Sequence, residues 1–231
     1  MNAFDAAGLT FFNQFASQSP LFDSIVINMA QYHDFKGVVI MALLWGACFM
    51  PNRDAILARQ IAIMSVIGGL LALVAARLMT KFLPFRDRPL YNDQFTLDYP
   101  LGDSDRYLEH WSSFPSDHAM LWFAIAVGIF LISRRVGIIA MLYTVVVICL
   151  PRIYLGLHHP TDILAGMALG AAMVLICSRT TLRSHVAGPI VGWSFSNPPI
   201  FYVLAFLLSY GLSTHFDGLK NFFKPIVYAL V

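Results

Sequence analysis

Residues 114–133 read Phe-Pro-Ser-Asp-His and then Ala-Met-Leu-Trp-Phe-Ala-Ile-Ala-Val-Gly-Ile-Phe-Leu-Ile-Ser. A proline and a polar cluster open the stretch, and Ala119–Ser133 then runs on without one charged side chain. A run of this kind reads as a membrane-spanning helix. Four more repeat it: Gly37–Asn52, Gln60–Ala76, Val136–Pro151 and Ile163–Ser178. Pro199–Thr214, inside the uncharged stretch Ser184–Phe216, makes a sixth. Each falls slightly short of the ~20 residues that cross a bilayer core, and the flanks supply the rest. Composition agrees. The 231 residues are 58% hydrophobic and 12% charged, against about 25% charged in an average soluble protein, and the mean hydropathy is +0.68. A soluble globule of this size could not hide so much apolar side chain. The expectation is an all-α, polytopic membrane protein built as a six-helix transmembrane bundle.

Ahead of the first span, Phe4–Phe15 and Leu21–Tyr32 mix apolar residues with Asn13, Gln14, Asp23 and Asn28, and read as interfacial amphipathic helices. The chain thus divides into an interfacial segment, residues 1–35, and a transmembrane domain, residues 36–231. Leu90–Ser113 carries Asp93, Asp98, Asp103, Asp105 and Glu109 around Pro100 and Gly102, and reads as a solvated connection. Asn221–Val231 is apolar but too short to span. Met1–Gln18 holds Asp5 and no basic residue, unlike a secretory signal, which leaves targeting to an internal span. Cys48, Cys149 and Cys177 sit in apolar runs and read as buried small hydrophobes, neither a disulfide framework nor a zinc site. A net charge of +2 is too small for a nucleic-acid footprint.

Charge also orients the bundle. With six spans, the connections on one side hold Arg53, Arg59, Arg134, Arg135, Arg179 and Arg183 against Asp54 alone, a net of +5, and the other side with both termini holds −3. Short Arg-rich loops stay in the cytoplasm. The acidic side then faces outward, which in a bacterium is the periplasm or cell exterior.

Three clusters break the apolar pattern: residues 81–89, Lys-Phe-Leu-Pro-Phe-Arg-Asp-Arg-Pro; residues 114–118; and residues 152–162, Arg-Ile-Tyr-Leu-Gly-Leu-His-His-Pro-Thr-Asp. The first closes span two, the second opens span three and the third joins spans four and five, so parity puts all three on the outer side. Lys81, Arg88 and Arg152 are permanent cations, and arginine forks match phosphate oxygens. Ser116 and the N–H groups opening span three add anion donors at a positive helix end. His158 and His118 are titrators fit for nucleophilic and acid–base work near neutral pH. With no cysteine nearby and no carboxylate pair, the set points to phosphoryl transfer without a metal, in which a histidine can be the nucleophile and cations stabilise the transition state.

Lys81-x6-Arg88-Pro89, Pro115-Ser116-x-His118 and Arg152-x5-His158-x3-Asp162, in this order, resemble the three signature motifs of the type 2 phosphatidic acid phosphatase family, whose superfamily includes the vanadium haloperoxidases. The resemblance implies that Lys81, Arg88 and Arg152 bind the phosphoryl oxygens, helped by Ser116 and the backbone N–H groups of Asp117 and His118. It makes His158 the nucleophile that becomes a phosphohistidine, Asp162 the group that holds its imidazole, and His118 the acid that protonates the leaving oxygen. Two positions depart from the pattern. Pro151 stands where the third motif usually has serine, and Asp117 where the second usually has glycine. The Phe-Pro-Ser-Asp-His form is similar to the bacterial subgroup acting on undecaprenyl diphosphate.

Other residues in these clusters carry plainer expectations. Arg86 lacks motif support and reads as a solvated anchor, and Arg77, a turn before Lys81, as a headgroup contact. Asp117 reads as a helix cap. His159 competes with His158 for the nucleophile's role but reads as the cap before Pro160, with Asp162 in the first turn. His33, His110, His185 and His215 read as interfacial or loop residues. The functional expectation is a multi-pass phosphatase of the bacterial cytoplasmic membrane, its site on the outer face, using neither cofactor nor metal. Its partners are a lipid phosphate or diphosphate and the surrounding lipids, with oligomeric state open. Undecaprenyl diphosphate is the favoured substrate; phosphatidate, phosphatidylglycerophosphate and lipid A are alternatives. A phosphate-binding membrane protein or transporter is the rival of another class, disfavoured because the charges cluster at one edge.

Overall fold

In lipid a single segment can pair its own backbone only as a helix, and the computed structural model of the chain is built accordingly. It describes residues 2–32, 34–51, 54–92, 98, 100 and 111–216. Among the described residues there is no strand. The helices follow as α1 Ala3–Asn13, α2 Pro20–Gln31, α3 Val39–Phe49 behind a π turn at Asp34–Val38, α4 Ala55–Phe82 and α5 Asp117–Ile132. Then come α6 Arg134–Tyr154, α7 Pro160–Cys177, α8 Thr180–Ser196 and α9 Pro198–Ser213. By length and composition α4, α6 and α7, of 28, 21 and 18 residues, can cross a membrane, and Phe35–Phe49, α5 and α9 are shorter apolar helices. The chain is a multi-pass membrane protein. Most of the acidic connection after Tyr91 and the apolar tail from Asn221 lie outside the described residues.

The charge-free run that opened the sequence is the axis of the bundle. Helix α5 lies between α3, α4, α6 and α7, with Leu121, Trp122, Ile125 and Ile129 wholly inside. Helix α7 comes close to it because Gly166 and Gly170 present bare backbone one turn apart. A Cβ on Gly170 would stand 2.2 Å from the Met120 carbonyl oxygen, and one on Gly166 2.7 Å from that of Ser116. The Ser116 N–H donates across the same gap to the Asp162 carbonyl at 3.2 Å. The second and third motifs are therefore joined at the first turns of two touching helices.

Pro151, which stands in place of the family's serine, is accommodated by a π turn at Thr144–Cys149 just ahead of it. Proline has no N–H to donate and its ring crowds the carbonyl one turn earlier, and a wider turn relieves both. Helix α6 consequently runs on to Tyr154 and carries Arg152 on its last turn.

The stretch Ser184–Phe216 holds two helices, α8 and α9, broken at Asn197 by Pro198 and Pro199, and α9 coincides with the sixth apolar segment expected at Pro199–Thr214. Helix α8 packs through Ala187 on Met64 and Cys177, and Phe195 lies under Arg59, 4.7 Å from its ring centre, so both ends of α8 stay near the Arg59 end of α4. Helices α1 and α2 turn their acids inward. Asp5 and Asp23 are buried, whereas Phe4, Phe11, Leu21 and Ile25 are exposed.

The glycine contact can be tested directly. Gly170→Ala is expected to destabilise the protein by about 1–3 kcal/mol through overpacking, although alanine is the better helix former. Gly192→Ala, where nothing stands within 4 Å of the added Cβ, is expected to be neutral or stabilising by up to about 1 kcal/mol. Thermal unfolding in detergent reads both, and equal effects would contradict the α5–α7 contact.

Candidate active site

Where α4 ends and α5 and α7 begin, backbone hydrogen bonds interlace the three motif segments. The Ser113 N–H donates to the Arg86 carbonyl at 2.9 Å, and the Leu90 N–H to the Gly156 carbonyl at 2.9 Å. Gly156 takes a φ of 68° at the turn that leads to His158, a conformation glycine enters without strain. Arg88 is held from two sides, Nη1 donating to the Leu157 carbonyl at 2.8 Å and Nε to that of Trp111 at 3.2 Å. Arg88 and Arg152 are only 9% and 7% exposed. The two carbonyls fix the direction in which the Arg88 guanidinium points. The Arg152 charge acts on Asp117, His118 and His158 alike.

His158 lies in this ground, buried, with Nδ1 2.8 Å from the Ser113 carbonyl oxygen. A carbonyl only accepts, so Nδ1 carries the proton and Nε2 keeps its lone pair. Burial, and after it the Arg88 and Arg152 cations, push the imidazole below its ordinary 6.5 against the pull of Asp162. The expected hydrogen bond from His158 to Asp162 is not formed: Nδ1 stands 3.9 Å from Oδ2. That carboxylate is engaged by the helix start. Its Oδ2 accepts the His159 N–H at 2.8 Å and lies 3.2 Å from His159 Nδ1, a capping box with His159 as the cap and Pro160 in the first turn. Its Oδ1 accepts from Arg86 Nη1.

His118 is oriented differently. Ser116, wholly buried, is the cap of α5, its Oγ accepting the Ala119 N–H at 3.4 Å. Asp117, expected to cap, accepts the first-turn His118 N–H on Oδ1 at 2.8 Å, beside the Ser116 cap. Its Oδ1 stands 2.7 Å from His118 Nδ1, and its Oδ2 accepts from Arg77 at 2.9–3.1 Å. Arg77 is thereby an ion-pair partner, where the sequence suggested a headgroup contact. Over the other face of His118 lies His215, just past α9, its ring 4.3 Å away and nearly parallel. His215 lies in the turn after α9, as expected of a loop residue, and is buried there. Only parity could have indicated it, since an even number of spans returns the chain to the motif side. Lys81, on the last turn of α4, lines with Arg77, Trp111, Ser112 and His215 a cavity of about 710 Å³ whose other walls include Leu73, Val74 and Phe216.

Arg86 departs furthest from its expected role. It is no solvated anchor: its side chain is 27% exposed and bridges Asp162 to Asp5 of α1. Among the described residues no three His, Cys, Asp or Glu side chains gather as a metal centre would need.

A helical membrane bundle that collects arginines and histidines at one rim defines a class, the membrane phosphatases that act on phosphate esters without leaving the lipid. The chain belongs to the PAP2 superfamily, which matches residues 59–185, and it is a phosphoric ester hydrolase. It is 26% identical over 167 residues to the bacitracin transport permease protein BcrC of Bacillus licheniformis, covering 71% of this chain and 74% of that one. To the decaprenylphosphoryl-5-phosphoribose phosphatase of Mycobacterium tuberculosis it is 34% identical over 137 residues, covering 59% of this chain and 67% of that one. No solved structure matches it.

The electrostatics of His158 lead to a measurable expectation. Histidine NMR of the phosphate-free protein, with His158→Gln to assign the signal, should find this imidazole still neutral at pH 6.5. Because the fold disfavours its protonated form, acidification below 6.5 should also cost stability. A midpoint at or above 6.5 would contradict the buried, cation-flanked environment described.

Proposed function

We propose that the enzyme hydrolyses a membrane lipid phosphate or diphosphate through a phosphohistidine, and that its preferred substrate is a polyprenyl diphosphate such as undecaprenyl diphosphate. The observation that carries this reading is the state of His158: a neutral imidazole, Nε2 unprotonated, beside buried Arg88 and Arg152. Such a nitrogen can attack phosphorus as a lysyl or arginyl nitrogen cannot. Nε2 forms the P–N bond as the P–O bond to the lipid breaks, and His118, held through Nδ1 by Asp117, gives its Nε2 proton to the departing oxygen. Arg88, Arg152, Lys81 and the Ser116–Asp117–His118 turn hold the equatorial oxygens. Water, deprotonated by the now neutral His118, then releases phosphate from His158. Asp162 serves by fixing the helix start on which His158 hangs. For the lipid, a prenyl diphosphate is favoured by the Phe114–His118 motif, and the mycobacterial relative is named for a decaprenylphosphoryl compound. Phosphatidate, phosphatidylglycerophosphate and lipid A remain the alternatives of the same class.

In this reading α3, α4, α5, α6, α7 and α9 are the six spans, α8 lies along the cytoplasmic rim, and α1 and α2 lie in the outer interface of a bacterial cytoplasmic membrane. Residues 1–35 then form the interfacial segment and 36–231 the transmembrane domain. The name of the Bacillus relative invites a transport reading. Against it, the interiors of α4 to α7 carry no charged or histidine side chain of the kind a mid-bilayer transport site needs.

Two experiments test the proposal. His158→Ala should abolish phosphate release from every substrate and His159→Ala should not. His118→Ala should lose about 10²–10⁴-fold on phosphatidate, whose alkoxide needs the proton, and far less on p-nitrophenyl phosphate, whose leaving group does not. Equal losses for both variants on both substrates would show the roles to be misassigned. For orientation, Asp103→Cys should react with an impermeant thiol reagent on intact cells and Arg135→Cys should not; the reverse result inverts the topology.

A further inference from the structure

Asp5 has no place in the three motifs, yet it is the most completely engaged carboxylate of the site. It lies in the first turn of α1 with no exposed surface. Its Oδ1 accepts the Thr161 N–H at 2.8 Å. Its Oδ2 accepts from Thr161 Oγ1 at 2.7 Å, from Arg86 Nη2 at 2.7 Å and from Asn2 Nδ2 at 2.9 Å. Burial works to raise this carboxyl, but the bonds from Thr161 and Arg86 outweigh it and hold Asp5 below its ordinary value, as a carboxylate.

Arg86 faces it with one arm and reaches the third motif with the other. Nη2 goes to Asp5, and Nη1 goes to Asp162 Oδ1 and to Thr161 Oγ1 at 2.9 Å. A planar fork can span two carboxylates in this way; a lysine ammonium, a single point of charge, cannot. Asp162 in turn caps the helix start immediately after His158. The result is a chain of contacts from α1 through Asp5, Arg86 and Asp162 to the peptide that carries His158. A second tie, Tyr154 Oη donating to Asp23 of α2, holds the N-terminal pair to the end of α6 without touching this chain.

We infer that Asp5 and Arg86 are positioning residues for the third motif, so that helix α1 completes the active site rather than merely anchoring the chain to the membrane. The inference rests on the reading of His158 as nucleophile. Arg86, poised between two carboxylates, is kept from turning wholly onto Asp162 and dragging the α7 start with it. A displacement of about 1 Å in a nucleophile can cost about 100-fold in rate, and the distance from His158 Nδ1 to its Ser113 acceptor leaves little slack at 2.8 Å.

The test uses the full-length chain in detergent with p-nitrophenyl phosphate as probe. Asp5→Asn and Arg86→Lys should each lower kcat about 10–100-fold with KM nearly unchanged. The double variant should be little worse than the poorer single one, because both break the same chain of contacts. Tyr154→Phe, which cuts only the second tie, should lower Tm and keep kcat. Wild-type kcat in Asp5→Asn, losses that multiply independently, or losses that follow Tm across all three variants would overturn the inference. So would failure of both clasp variants to fold, which would assign the pair to stability alone. His158→Ala separates the two levels. If it is inert while Asp5→Asn turns over normally, only this inference falls; if it stays active, the nucleophile assignment falls first.

Discussion

A guanidinium taken out of water must be surrounded by oxygen, and at the rim of an apolar bundle almost all the oxygen available is backbone. That constraint organises the molecule. Arg88 needs the carbonyls of Leu157 and Trp111, so the third motif's loop and the approach to α5 must both come to it. Arg86 needs carboxylates, and finds one on α7 and one on α1. Each buried cation therefore recruits segments far apart in the chain, and the interlaced loops are the consequence of solvating them. The cost of desolvating such groups is several kcal/mol each, which a fold retains only where the charges have a use.

The two histidines both stand near Arg152 and differ in what meets Nδ1. Each motif aspartate is shared between an arginine and an imidazole: Asp117 between Arg77 and His118, Asp162 between Arg86 and His159. His118 has the Asp117 carboxylate at Nδ1. His158 has the Ser113 carbonyl there, which fixes its tautomer, with the Asp162 carboxylate further off at 3.9 Å. In the proposed mechanism the first imidazole gives up a proton and the second an electron pair. Arg77 pairs with Asp117 on the side away from His118, so that carboxylate is already engaged.

Much of this was legible in the sequence. The charge-free runs announced the helices, because in lipid the backbone has no alternative to pairing with itself, and parity placed the three motifs together before any contact was known. His159, Pro160 and Asp162 announced a helix start through their spacing alone. What stayed hidden was pairing at long range. Nothing near Asp5 hints that its partner is Arg86, and His215 has no neighbour in sequence that points to His118. Asp162 misled for a related reason: the motif assigns it to His158, whereas a first-turn carboxylate is drawn to the unpaired N–H groups of its own helix. The Pro151 substitution was visible, but its accommodation by a π turn depends on the packing of α6 against α5.

The inward acids of α1 and α2 bear on where a lipid phosphate can be hydrolysed. In the proposed placement, a helix lying in the membrane interface is held there by its exposed apolar side chains, here Phe4, Phe11 and Leu21 among others. If its polar residues faced water, it could slide or detach without consequence for the bundle. Because Asp5 and Asp23 face the bundle instead, the depth at which these helices float and the depth of the motif loops are one quantity. A phosphate attached to a lipid is confined to a layer a few ångströms thick at the same interface. On the proposed reading, tying these helices to the residues assigned to the phosphate would match the height of the site to the height of its substrate, whatever the chain below the headgroup.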